Sequence, residues 1–158
     1  MNQKQRQRVI IFTVIGITAV VVIAVFSTLR YQDTALQNFS HSYQTIVTQA
    51  GLLTQNYQKE VRKWQLKQYD NATMIKITND YLPKFQNLIN ATKSLQSPKF
   101  EKAIDSYAKS LNSEMLSYMY FRNYLSSENR SAYKQSTQLL SDSLNNETES
   151  FNAFRNVT

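Results

Sequence analysis

The sequence predicts an all-α protein: an N-terminal transmembrane helix continuing into an extracytoplasmic, antiparallel four-helix bundle. Three observations predict it. The 158 residues include only 2 Gly and 2 Pro, too little turn punctuation for sheets, barrels or phosphate-cradling loops. Residues 9–29 read VIIFTVIGITAVVVIAVFSTL, without a charge. Beyond them, apolar residues recur at alternating steps of three and four, the seam of packed helices.

The first element is the apolar run. At 1.5 Å per residue it reaches roughly 30 Å, the thickness of a bilayer's hydrocarbon core. Lys4, Arg6 and Arg8 precede it and only Arg30 follows closely. That bias assigns residues 1–8 to a cytoplasmic basic tail, 9–29 to the membrane and 30–158 to the outer side. A cleaved signal peptide is the competing possibility, because Val25-Phe26-Ser27 loosely fits a small-residue cleavage pattern. The run exceeds the usual hydrophobic region of about 7–15 residues, which favours an uncleaved anchor. It holds no ionisable group for a relay, and Gly16 has no small partner one helical turn away for dimerisation.

The first outer helix follows, with the seam Leu36, Phe39, Tyr43, Ile46, Ala50, Leu53, Tyr57 and Trp64. Running from the membrane helix to near Lys67, it would rise roughly 50 Å. A break at Gln68–Asn71 opens a second seam of Met74, Ile77, Tyr81, Phe85, Leu88 and Leu95. Pro83 lies inside this segment and is expected to kink it or split off its first turns. Ser97-Pro98 should start the third helix, with serine as cap and proline at the first helical position. Its seam is Phe100, Ile104, Tyr107, Leu111, Tyr118, Phe121 and Leu125. Ser126-Ser127-Glu128 offers the cap of a fourth helix, with seam Tyr133, Leu140, Leu144, Phe151 and Phe154. Short connections make consecutive helices antiparallel neighbours.

Composition removes several chemistries. Without Cys there are no disulfides, thiolate metal sites or cysteine nucleophiles. The formal charge is +7, but four of the cations flank the apolar run. The remaining excess is dispersed, unlike the footprint of a nucleic-acid binder. His41, the one histidine, points away from the seam and cannot build a zinc site alone.

Three carboxylates, Glu60, Glu114 and Glu147, fall on the seams. Inward carboxylates hold metals in ferritin-like bundles. Counted along the helices, however, their levels differ by roughly 8 Å or more, too far for one centre. They are expected to be partly buried or flanking groups satisfied by neighbours such as Lys63 or Arg122, or to fix the bundle's register. No catalytic set, metal site or cofactor is expected.

Trp64, Tyr69, Met74, Tyr118, Tyr120, Phe121, Tyr124 and Tyr133 should converge on the membrane-distal end. Such an end could take a ligand or partner, or simply be the core closing over the bundle's tip. Sequons for N-glycosylation occur at Asn38, Asn71, Asn90, Asn129, Asn146 and Asn156, all on the predicted outer side.

The pattern DYLPKFQNLINATKSLQSP at 80–98, EMLSYMYFRNYL at 114–125 and ESFNAF at 149–154 resembles uncharacterised archaeal N-terminally membrane-anchored helical proteins. Tyr81, Leu82, Pro83, Leu95, Pro98, Glu114, Ser117, Tyr118, Phe121, Glu149, Ser150, Phe151 and Phe154 carry that resemblance. It implies a class without an activity. In architecture alone the chain is similar to chemoreceptor ectodomains, although no second apolar run follows the fourth seam.

The function expected from these observations is a non-enzymatic, single-pass accessory or interaction protein of the cell envelope. It would contact membrane lipid through residues 9–29 and another envelope protein, or a second copy, through the bundle. The alternative is a ligand-binding or sensor-like bundle acting through a partner membrane protein.

Overall fold

The computed structural model describes residues 34–157. They form four helices and one short 3₁₀ turn: α1 (Thr34–Gln65), α2 (Asn71–Ser94), the turn Pro98–Phe100, α3 (Glu101–Ser127) and α4 (Arg130–Arg155). The predicted tail 1–8 and membrane helix 9–29 lie outside the described residues. Among the described residues, no helix is long and apolar enough to cross a membrane.

The helices run up, down, up and down. At one end Phe39, near the start of α1, stacks on Phe100 from the 3₁₀ turn that leads into α3 and on Phe154 from the end of α4. At the other end Trp64, late in α1, meets Phe121, late in α3. The contact between α3 and α4 is the most extensive, followed by α2 with α3 and then α1 with α2.

Each helix end has an identifiable cause. Lys67 takes a left-handed backbone, φ 59°. It lets Gln68 N–H reach Lys63 O at 3.0 Å and Lys67 N–H reach Trp64 O at 2.9 Å, the paired bonds of a Schellman ending. Asp70 then caps α2, accepting the Thr73 amide at 2.7 Å. Hydrogen bonding from the Thr73 side chain, and then from that amide, holds its carboxyl below the ordinary range. Glu128, φ 54°, ends α3 in the same left-handed way, with its amide on Tyr124 O at 2.8 Å. Neither residue is the glycine that normally marks such an ending, so composition alone hides both.

Three local expectations are corrected. The fourth helix is capped by Asn129, whose Oδ1 accepts the Ser131 amide at 2.9 Å. Ser126 and Ser127 instead belong to α3 and donate back to Asn123 O. Ser97 precedes the 3₁₀ turn but makes no side-chain capping bond; α3 enters through that turn. Pro83 neither splits nor ends α2, which is continuous from Asn71 to Ser94. Pro83 and Asn79 are both exposed, so the carbonyl deprived of its donor faces water.

Asn129→Ala should therefore cost about 1 kcal/mol, whereas Ser126→Ala should change stability by a few tenths at most. Urea midpoints of the two variants decide between them.

The core is split in two along the bundle. One half gathers Phe39, Tyr43, Ile46, Val47, Leu88, Ile89, Phe100, Ile104, Tyr107, Leu111 and Phe154. The other gathers Tyr57, Val61, Met74, Phe85, Tyr118, Phe121, Leu125 and Leu140. Leu53 and Met115 pack against both halves. Between them lies a polar layer.

Small residues hold α3 and α4 together. Ser110 Oγ donates to Ser143 O at 2.9 Å, Ser117 Oγ to Ser136 O at 2.8 Å and Ser150 Oγ to Ala103 O at 2.6 Å. Each rung crosses from a side chain to the opposite backbone, a distance only short side chains allow. Ser136, Ser143 and Ser150 recur every heptad, as do Ala103, Ser110 and Ser117. The interior line of α4 is thus partly serine.

Candidate functional site

Two places gather the residues singled out in the sequence: the closed tip and the polar layer. At the tip, the Trp64 ring stands edge-on to Phe121 at 5.2 Å, Phe121 stacks on Tyr124 at 6.4 Å, and Tyr124 meets Tyr133 at 5.0 Å. One aromatic seam thus joins α1, α3 and α4. Asn71 closes it from α2: its Oδ1 accepts Trp64 Nε1–H at 2.9 Å, and its Nδ2 donates to Leu125 O at 3.1 Å.

The predicted patch divides by depth. Met74 and Phe121 are buried, and Tyr118 is buried further down, against Tyr57 and Phe85. These three are core. Trp64, Tyr69, Tyr120, Tyr124 and Tyr133 are half-buried. The Lys63 ammonium lies 5.6 Å from the centre of the Tyr69 ring and donates to its hydroxyl at 3.3 Å. Sequence inspection missed Leu66, which is 64% exposed beside this seam, because it follows the last seam residue of α1.

The tip is also cationic. Arg62, Lys67, Arg130 and Lys134 are exposed there against Asp70 and Glu128. Lys63 is engaged by Glu60 at 2.9 Å. The same contact, with Tyr69 assisting, holds the Glu60 carboxyl below its ordinary range.

The polar layer is a cavity of about 20 Å³, lined by Ala50, Gly51 and Thr54 of α1, Tyr107, Ser110, Leu111 and Glu114 of α3, and Ser143 and Glu147 of α4. That is room for about one water molecule. Glu114 is 5% exposed. Its Oε1 accepts from Thr54 Oγ1 at 2.7 Å and from Tyr118 OH at 2.5 Å. Of the expected cations, Lys63 satisfies Glu60, as anticipated, but neither it nor Arg122, which donates to Asn79, reaches Glu114.

Glu114 stands one turn to one side of the Ser110–Ser143 rung, and Glu147 one turn to the other. Their levels do differ, as the helical rise requires, but both walls belong to one cavity. Burial pushes the Glu114 carboxyl up to about 7, its two hydroxyl donors pulling the other way. Glu147 is also raised to about 7, by burial and then by the charge of Glu114.

Around this layer, hydroxyls are passed from ring to helix. Tyr57 OH donates to Thr78 Oγ1 at 2.9 Å, which in turn donates to Met74 O at 2.8 Å. Tyr43 OH bonds Ser150 Oγ, the donor of the third α3–α4 rung. Burial drives both phenols above their ordinary range.

No group of three or more His, Asp or Glu suited to a metal ion occurs among the described residues. His41 is exposed. Two open clefts lie at the Thr34 end: one of about 340 Å³ beside Leu95 and Pro98, and one of about 470 Å³ between Phe100 and Val157.

The sequons differ in availability. Asn38, Asn71, Asn90, Asn129 and Asn156 are exposed, although Asn129 Oδ1 serves as the α4 cap. Asn71 Nδ2 and Asn146 Nδ2 both donate to backbone carbonyls. A sugar on either nitrogen would replace one of its two hydrogens and would have to fit beside that bond.

Compared with protein-family models, curated proteins and solved structures, the chain matches none of them.

Proposed function

We propose that this chain is a non-enzymatic, single-pass accessory protein of the cell envelope. Residues 9–29 anchor it, residues 30–158 lie outside the membrane, and the closed tip of the bundle docks another membrane protein. The tip carries the proposal: half-buried rings of Trp64, Tyr69, Tyr124 and Tyr133 adjoin the exposed Leu66 and an excess of exposed cations. Aromatic anchors set beside basic residues are the composition of interface centres. An acidic partner surface fits that charge. The anchor rests on the uncharged run and the basic residues before it.

The polar layer supports a binding rather than a catalytic role. Glu114 is buried and faces a space for one water, so a substrate would have to open the bundle to reach it. Glycosylation, where the host performs it, is proposed at Asn38, Asn90 and Asn156, whose side chains carry no capping bond.

Crosslinking and gentle-detergent co-purification from native membranes test the reading. A stoichiometric membrane partner is expected. Its yield should fall about tenfold with Leu66→Glu plus Lys67→Glu, as for loss of roughly 1.4 kcal/mol of contact energy. Both positions are exposed, so the urea midpoint should hold. Recovery of the chain alone and monomeric overturns the proposal, and a partner retained by the double variant removes the tip as the docking face.

A further inference from the structure

Among the described residues, the layer dividing the core holds two carboxylates and no cation. The described ion pairs, Lys63–Glu60 and Lys102–Glu149, lie elsewhere. The groups acting on Glu114 and Glu147 can be named helix by helix. From α1 come Thr54, which donates to Glu114, Tyr57, which feels its charge, and Tyr43, which feels the charge of Glu147. From α3 come Tyr107 and Tyr118, both buried phenols. Glu147 is the contribution of α4. On α2, Tyr81 responds to Glu60 and Lys63, not to the cavity.

Every named neighbour is therefore neutral or anionic. Glu114 is buried and Glu147 half-buried at the two ends of a water-sized cavity, with no ion-pair partner for either among the described residues. Ionisation of Glu114 must draw in water or move a wall. The walls differ in how they are held. α3 and α4 are joined by three serine rungs that run from side chain to backbone. The α1 wall consists of Ala50, Gly51 and Thr54, and its hydrogen bond across the layer is that of Thr54 to Glu114.

We propose that the Glu114–Glu147 cavity is a proton-binding site whose deprotonation loosens the middle of α1 from the α3–α4 hairpin. The protons leave to solvent water, and no other co-reactant is needed. The site does not depend on the docking role of the tip.

The direction of the effect follows from linkage. In the unfolded chain both carboxylates ionise near the ordinary value of 4.5, whereas in the fold both are raised to about 7. The folded state thus holds protons that the unfolded state has lost. Stability is fully present below about pH 4.5, declines as pH rises towards 7, and is flat at a lower level above that. The folding equilibrium should fall on the order of 10²-fold for the buried Glu114 across that window, and by less for the half-buried Glu147, which solvent screens. The two titrate as a pair, since the charge of one raises the other.

The test uses the full chain in mild detergent. Unfolding in urea is followed from pH 5 to 8 through Trp64, the single tryptophan. Hydrogen exchange is read over residues 46–58 and 140–150 at both extremes. Wild type should lose stability as pH rises, Glu114→Gln and Glu147→Gln should each shrink the loss, and the double variant should be flat. Exchange in 46–58 should rise at pH 8 in wild type and not in the double variant. A wild-type profile flat in pH, or a loss that survives both substitutions, overturns the site. Faster exchange in 140–150 instead of 46–58 overturns the loosening of α1. Should Glu114→Gln not fold, the wild-type profile and Glu147→Gln alone still decide.

Discussion

Replacing Tyr118 with alanine should cost about 3–5 kcal/mol, the largest loss expected from a single substitution in this bundle. The ring is 2% exposed and lies 4.0 Å from the Tyr57 ring and 5.2 Å from Phe85, so it joins α3 to α1 and α2 at once. Truncation empties that junction and leaves the packed helices little freedom to collapse into it. It also removes one of two donors to Glu114. Tyr118→Phe separates the two effects, since it keeps the ring and should cost about 1 kcal/mol. Urea unfolding monitored at Trp64 measures both. A loss below about 1 kcal/mol for the alanine variant would mean that the ring is not a core residue.

Ser143→Leu ranks second, at about 3 kcal/mol. Ser143 faces Ser110 with their hydroxyls 3.1 Å apart, and its carbonyl accepts the Ser110 hydroxyl at 2.9 Å. Such bonds exist because the two backbones approach closely, and a leucine can be placed there only by forcing them apart. Ser143→Ala should cost about 1 kcal/mol, since volume is conserved nearly as well as in the original. Ser141 is exposed on the same helix, and Ser141→Leu should leave the midpoint almost unchanged. If Ser141→Leu and Ser143→Leu shift it equally, close packing is not what the serines provide.

The large apolar residues were legible because their periodicity is. Tyr43, Ile46, Ala50 and Tyr57 on α1, and the whole seam from Phe100 to Leu125, are buried as their spacing predicts. The serines were not legible by that route. Ser136, Ser143 and Ser150 read as polar surface on any hydropathy scale, yet they sit on the interior line of α4. Their heptad recurrence was the available signal, and it concerns size, not hydrophobicity.

The carboxylates show a second limit. Rise per residue separated the levels of Glu114 and Glu147, but it does not describe a cavity bounded by one at each end. The expected cation serves Glu60, but the donors that satisfy Glu114, Thr54 and Tyr118, are neutral, and charge pairs are easier to anticipate from a sequence than hydroxyl donors. Lys67 and Glu128 were illegible for a third reason. Left-handed endings are announced by glycine, and these two adopt one without it.

The serine rungs also bear on the order in which the chain closes. They join residues 19, 33 and 47 positions apart, a graded series that begins nearest the Glu128 turn. Forming the first shortens the loop left for the second, and the second does the same for the third, so each step costs less loop entropy than it would alone. The bond from Thr54 to Glu114 spans 60 positions and gains nothing from that series until α2 has docked. The least costly route therefore zips α3 and α4 from their turn outward. Of the described helices, α1 is made first and is then the last to find its place, and the α3–α4 hairpin is the template against which it docks.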